Sequence, residues 1–331
     1  MIHAAYVLGR DGYDRIFGPE QRAAIAEVCG GEPPFVSAEA ATAGDPRLAE
    51  VEVVLSGWGA PEMDEAFCLR LPKLRAVLYA AGSVRGFVTE ALARRGVRVS
   101  SAASGNAIPV AEYTVATIYF SLKRGWEFLR SPHPATETEK DLVAGGFGST
   151  VGLVALGTIG RLVCQRLRGA DLKVVAYDPY LTPADAAELD VMPVDLAELF
   201  ATSDVVSLHL PLHSGTRGLI DAQLLSSMKP RATLVNTSRG AVVRPDDLLD
   251  VLTARPDLQA VLDVTEPEPL PADHPLRALP NVVLTPHIAG SLGPECHRMA
   301  AMMAAELQRY GAGEPLRWEV PLDRLDIAAL P

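Results

Sequence analysis

A two-domain α/β architecture with doubly wound parallel sheets is predicted by three features of the sequence. Short apolar strands alternate with helical segments along the chain. The central strand candidates are continuous β-branched or leucine-rich runs, as parallel strands covered on both faces should be. The 331 residues exceed one ordinary domain and suit two. The strand candidates are 4–8, 51–56, 74–79, 97–100, 151–156, 173–178, 205–210, 233–237, 260–264 and 282–285. Helical segments lie between them, for example 20–28, 63–71 and 245–253. A long helical stretch, 108–129, follows the first group of strands, and a Pro/Gly-containing loop, 131–148, precedes the second. The last helix, 294–310, is expected to return to the first domain. That domain is then discontinuous, 1–107 with 295–331, and a dinucleotide-binding domain, 108–294, is inserted into it.

Composition excludes several classes. The net charge is −11 with no Lys/Arg cluster, so no basic face awaits a nucleic acid, and an anionic substrate needs a local positive group. No run of about 18 apolar residues appears, so no membrane span is expected. Met1-Ile2-His3-Ala4-Ala5 leads into an apolar segment without a basic leader and reads as a first strand, not a signal peptide. Cys29, Cys68, Cys164 and Cys296 are scattered and read as reduced, mostly buried thiols in a cytoplasmic protein. The seven histidines show no ligand spacing, so no metal site is expected.

The most informative local segment is Thr150-Val-Gly-Leu-Val-Ala-Leu-Gly-Thr-Ile-Gly160. A strand runs into a glycine turn and then a helix, 161–167, whose first N–H groups can hold a pyrophosphate. Gly157 lets the backbone approach the phosphates, and Gly160 permits close helix–strand packing. Ala155 stands where the usual fingerprint has its first glycine. The next strand ends in Asp178, 18 residues after Gly160. A carboxylate there can accept both ribose hydroxyls of NAD and would repel the extra phosphate of NADP. The plainer reading of Asp178 is a turn residue before Pro179.

Three strand-end segments follow: Leu234-Val-Asn-Thr-Ser-Arg-Gly240, Val261-Leu-Asp-Val-Thr-Glu-Pro-Glu-Pro-Leu270 and Val283-Leu-Thr-Pro-His-Ile-Ala-Gly290. Each puts polar residues beyond the carboxyl end of a strand, where open α/β sheets bind ligands. An Arg grips a carboxylate with two parallel hydrogen bonds. A His moves a proton to or from a hydroxyl oxygen near neutral pH, and a nearby Glu favours its charged form. Singly, each has an ordinary explanation as surface charge or strand-end packing. The ordered set is what points to keto-acid reduction, with nicotinamide as hydride source.

These motifs, with the glycine turn, resemble the D-isomer-specific 2-hydroxyacid dehydrogenases, which include phosphoglycerate, glyoxylate/hydroxypyruvate and D-lactate dehydrogenases. The resemblance covers essentially the whole chain and is most specific from Val151 to Gly290. It implies a Rossmann NAD-binding domain inserted into a flavodoxin-like substrate domain, NAD(H) as cofactor, and a homodimer built through the NAD-binding domains. It implies that Arg239 binds the substrate carboxylate and polarises the carbonyl, that Glu268 partners the histidine, and that His287 is the acid/base. Gly157, Thr158, Ile159 and Gly160 would lie at the pyrophosphate, and Asp178 at the adenine ribose. Leu210, Pro211, Thr216, Thr237, Ser238 and Gly290 would line the cofactor site, and Asp263 would bind the carboxamide. Trp58, Ala81, Gly82 and Ser83 would meet the substrate alongside Arg239 and His287.

Two departures bear on substrate choice: Val84-Arg85-Gly86-Phe87 where many members have Gly-Val-Asp, and Trp58 in the loop 56–59. No single 2-hydroxy acid is therefore assigned. A formate or phosphite enzyme of the same fold is disfavoured, because formate members pair the histidine with Gln and this chain has Glu268. The remaining alternative is an NAD(H)-sensing, corepressor-like binding protein of the same fold.

Overall fold

The computed structural model describes residues 2–131 and 133–322. Two compact units emerge, one formed by the described residues up to 107 and from 291 onward, the other by 108–290. Ser291 belongs with the first because its N–H donates to Asn106 Oδ1 at 2.9 Å. The sequence reading has this crossing at 294/295, and the last nine positions of its discontinuous domain, 323–331, lie outside the described residues.

The discontinuous unit holds β1 (Ala4–Leu8), β2 (Phe35–Ser37), β3 (Val53–Ser56), β4 (Ala76–Tyr79) and β5 (Arg98–Ser101), all parallel, in the order β2-β1-β3-β4-β5. The continuous unit holds β6 (Thr150–Val154), β7 (Lys173–Tyr177), β8 (Met192–Pro193), β9 (Val205–Leu208), β10 (Thr233–Asn236), β11 (Gln259–Leu262) and β12 (Val282–Leu284), also parallel, in the order β12-β11-β10-β9-β6-β7-β8. Both are doubly wound, with order reversing beside β1 in one sheet and beside β6 in the other; ligands of such sheets bind at the carboxyl ends near that reversal. Every residue of β1, β3, β4, β9, β10 and β11 is buried, which is why these strands read as mostly apolar runs without polar alternation.

Two strands escape the sequence reading, β2 and β8. Both are edge strands of three and two residues, too short for a period-2 pattern, and β8 contains Pro193, which edges tolerate because they leave N–H groups unpaired. The long helical stretch is also corrected. The helix runs Ala103–Leu122 and encloses Pro109; a separate helix, Gly125–Arg130, begins after Arg124 turns left-handed at φ 52°. Within the loop that follows, a short helix, Glu137–Asp141, is closed by a Thr136/Glu139 capping box.

Helices start where local caps supply acceptors for free N–H groups: Asp64, Thr182, Asp195 and Asp221 each accept from the N3 backbone N–H. The last helix, Glu295–Gly311, buries Cys296, Met299, Met303 and Leu307 against Tyr6, Leu55 and Leu78 of the first sheet. Full burial of each such side chain contributes about 1.5–3 kcal/mol.

Candidate active site

In the continuous unit the chemistry gathers at the carboxyl ends of β6, β7 and β9–β12. After β6, Ala155 takes a left-handed φ of 73° while its N–H donates to Tyr177 O at 2.8 Å. Leu156 N–H donates to Asp178 Oδ2 at 2.7 Å, and Asp178 Oδ1 accepts from Tyr180 N–H at 2.8 Å. The carboxylate at the end of β7 is thus already holding the turn, with acceptor capacity left on each oxygen. Gly157 caps the helix Thr158–Leu167 without a side-chain bond. The first intrahelical bond runs from Arg161 N to Gly157 O at 3.0 Å, so the N–H groups before it point out of the helix end. A Cβ on Gly160 would fall 2.3 Å from Ala155 O, so helix and turn approach each other only because this residue has no side chain. A Cβ on Gly157 would meet nothing within 4 Å. Open space before a helix N-terminus, next to a carboxylate with acceptor sites to spare, fits a dinucleotide.

At β9 the chain continues into Leu210, buried in the apolar core, and Pro211. Thr216 closes the following loop: its hydroxyl donates to Pro211 O and accepts from His213 N. His209 is a residue the sequence reading missed. Its N–H donates to Val154 O at 2.9 Å, beside the glycine turn, and its Nε2 is 3.1 Å from Ser207 Oγ. Burial pushes its pKa down to about 4, and Nδ1 has no partner among the described residues. The available signal was a histidine directly before Leu210-Pro211 at a strand end.

After β10, Asn236 organises the turn. Its Oδ1 accepts from both Ser238 N and Ser238 Oγ, at 3.0 and 2.8 Å, and its Nδ2 donates to Arg239 O at 2.9 Å. Thr237 Oγ1 lies 2.9 Å from Thr114 Oγ1. Arg239 sits in a recess: solvent reaches it, yet protein surrounds most of the guanidinium. That burial lowers its pKa from the ordinary arginine value, and the Glu268 charge opposes the shift. A Cβ on Gly240 would lie 2.0 Å from the carbonyl carbon of Thr265, so the loop after β11 reaches Arg239 only because position 240 is glycine.

That loop supplies Asp263, Glu266 and Glu268. Asp263 is 2% exposed. Its Oδ1 accepts from Thr285 Oγ1 at 2.6 Å and Ile288 N at 2.8 Å, and its Oδ2 from Ala289 N at 2.9 Å. Its carbonyl accepts from His287 N at 3.0 Å. The aspartate is therefore the frame on which the histidine loop is hung. His287 adopts a left-handed φ of 54° and places Nδ1 2.5 Å from Glu268 Oε1. Glu266 points elsewhere, 3.7 Å from Arg217 and exposed. Gly290 is the last residue of this unit. Of the expected catalytic residues, Glu268 is the one joined to both others, by a bond to His287 and by charge to Arg239. No cluster of His, Cys, Asp or Glu among the described residues could hold a metal ion.

The expected substrate residues lie in the discontinuous unit, beyond β3 and β4. Trp58 is half-buried and packs against the cores on both faces of the sheet. Ala81 and Gly82 carbonyls accept from Ser101 Oγ at 3.1 and 2.7 Å. Ser83 Oγ accepts from Arg85 N–H at 3.4 Å. Among the described residues, no group accepts from the backbone N–H groups of Ala81, Gly82 or Ser83.

A family model described as D-isomer specific 2-hydroxyacid dehydrogenase, NAD binding domain, matches residues 121–289. A D-3-phosphoglycerate dehydrogenase of Mycobacterium tuberculosis is 35% identical over 264 residues, 77% of this chain and 48% of the relative. An (S)-sulfolactate dehydrogenase of Chromohalobacter salexigens is 38% identical over 232 residues, 69% of this chain and 74% of the relative. Among solved structures, TT0316 protein from Thermus thermophilus superposes with a TM-score of 0.74 at 29% identity, covering 96% of this chain and 100% of that one. The chain spans about half the length of the phosphoglycerate dehydrogenases it matches, 48% for the one above.

Proposed function

The chain belongs to the D-isomer specific 2-hydroxyacid dehydrogenases, an NAD-dependent family, and on that premise we propose that it interconverts a small 2-keto acid and the matching D-2-hydroxy acid. The observation that carries this reading is the Glu268–His287 pair, with Glu268 also acting on the Arg239 guanidinium. Because Nδ1 of His287 is engaged by Glu268, the mobile proton is the one on Nε2. In reduction it passes to the substrate carbonyl oxygen, leaving a neutral ring whose Nδ1–H still donates to Glu268. Arg239 grips the substrate carboxylate and polarises the carbonyl. Within the discontinuous unit, the N–H groups of Ala81, Gly82 and Ser83 would serve a carboxylate, and Trp58 would border a substrate side chain. When bound, the nicotinamide supplies the hydride equivalent. Gly157, Thr158, Ile159 and Gly160 would hold the pyrophosphate, Asp178 the ribose, and Asp263 the carboxamide. Leu210, Pro211, Thr216, Thr237, Ser238 and Gly290 would line the rest.

We further read the protein as a cytoplasmic homodimer joined through the NAD-binding unit. Four buried, unpaired cysteines support a reducing compartment, and no helix among the described residues is long and apolar enough to cross a membrane. Tyr119, Phe120, Leu129, Leu142 and Phe147 leave apolar surface exposed along one stretch of the unit, with Phe147 87% exposed, as an interface would.

The test is NADH oxidation by the purified full chain with glyoxylate, hydroxypyruvate, pyruvate, phosphonopyruvate and bulkier 2-keto acids. Keto-acid-dependent turnover with a clear ranking is expected. NADH binding without turnover on any of them would favour the sensing protein instead.

A further inference from the structure

Tyr113 lies on the helix Ala103–Leu122, 172 positions before Thr285, yet its hydroxyl is 3.0 Å from Thr285 Oγ1. The direction of this bond follows from its neighbour. Thr285 has a single hydroxyl proton, and that proton is committed to Asp263 Oδ1 at 2.6 Å, because an ionised carboxylate only accepts. Tyr113 must therefore be the donor to Thr285. Burial pushes the Tyr113 phenol above its ordinary pKa and so keeps it a donor. A phenylalanine would fill the same volume, so packing alone does not call for the hydroxyl.

The bond has a consequence for Asp263. A carboxylate has about four acceptor sites, two on each oxygen. Thr285 and Ile288 occupy both on Oδ1, and Ala289 occupies one on Oδ2. One acceptor site is left, on Oδ2. By donating to the Thr285 oxygen, Tyr113 holds that side chain in the orientation that points its proton at Asp263. Without this hold the hydroxyl is free to turn away, a site opens on Oδ1 as well, and the carboxylate no longer offers a single direction. We infer that Tyr113 is a positioning residue: through Thr285 it commits Asp263 Oδ1 and leaves Oδ2 alone to accept an amide N–H from the cofactor's carboxamide. This rests on the reading of Asp263 given under the proposed function.

The experiment is calorimetric titration of the full chain with NADH and with reduced 3-acetylpyridine adenine dinucleotide. That analogue carries a methyl ketone in place of the carboxamide and has no N–H to donate. Wild type is expected to bind NADH more tightly. In Tyr113→Phe the ratio of the two dissociation constants should shrink about threefold to tenfold, the range of one net hydrogen bond, while the analogue's own constant stays nearly unchanged. Thr285→Val should give the same loss, and the double variant no more than either single one, because both interrupt one path. A general loosening of the loop would weaken both dinucleotides alike and leave the ratio intact; that result in Tyr113→Phe overturns the inference. A shrunken ratio in Tyr113→Phe but not in Thr285→Val overturns the route through Thr285. A wild-type ratio near one overturns the carboxamide reading of Asp263 itself, and the inference with it.

Discussion

Two residues of the continuous unit hold the same uncommon backbone conformation for opposite reasons. Ala155, after β6, has φ 73°, and His287, after β12, has φ 54°. The left-handed region disfavours any residue with a Cβ, by roughly 1–2 kcal/mol. At Ala155 the methyl group has no chemical task, and the turn is held by the backbone through Tyr177 O and by Asp178 on Leu156 N. A glycine would serve the same turn. At His287 the conformation turns the ring toward Glu268, while the main-chain bond to Asp263 O and the flanking bonds from Ile288 and Ala289 over-determine the backbone. Left-handed backbone at the first position is local strain in a strand-to-helix turn; at the second it aims a side chain.

The comparison breaks most visibly at His287. Asn tolerates the left-handed region but cannot act as the acid/base. His287→Asn should keep the fold, by unchanged circular dichroism and Tm, and lose about a hundredfold to ten-thousandfold in kcat for keto-acid reduction. Near-normal kcat would remove His287 from the chemistry. Next is Arg239→Lys, which preserves charge but not the planar fork. A loss of about a hundredfold in kcat/KM is expected, and a change below about threefold would mean the carboxylate is held elsewhere.

Asp178→Asn sharpens the other side of the comparison. It retains an oxygen for the Leu156 N–H but removes the charge, so the preference for NADH over NADPH in kcat/KM should narrow, by about tenfold. A wild type that already prefers NADPH would refute the ribose assignment. Smaller again is the effect of the two glutamates after β11. Glu268→Gln removes the carboxylate that engages His287 Nδ1 and should lower kcat by about threefold to tenfold, whereas Glu266→Gln, at an exposed contact with Arg217, should barely change it. The reverse pattern would make Glu266 the partner. The smallest effect belongs to Ala155→Gly. Relief of the left-handed alanine, less the added freedom of glycine in the unfolded chain, should stabilise by about 0.5–1 kcal/mol. That would raise Tm by about 1–3 °C, and a lower Tm would show that the methyl group packs usefully.

Much of this was legible in the sequence because it is local. Ten of the twelve strands among the described residues fall on segments that the sequence already marks as strands, the glycine turn is written in six consecutive residues, and Arg239, Glu268 and His287 each lie within six residues of a strand end. What depends on neighbours far along the chain was not legible. The edge strands β2 and β8 exist only because longer strands template them. From residues alone, Glu266 and Glu268 compete as equal Glu-Pro pairs; the path of the loop turns one to His287 and the other to Arg217. Asn236 looked like part of a motif and proved to be the brace of the Arg239 turn. Tyr113 gave no signal, since its partner lies 172 positions away. Periodicity, turn glycines and strand-end polar residues thus determined the fold class and the chemical parts by themselves. Their mutual aim was decided by the tertiary structure, because a hydrogen bond is directional over about 3 Å and no local pattern encodes which distant groups are brought that close.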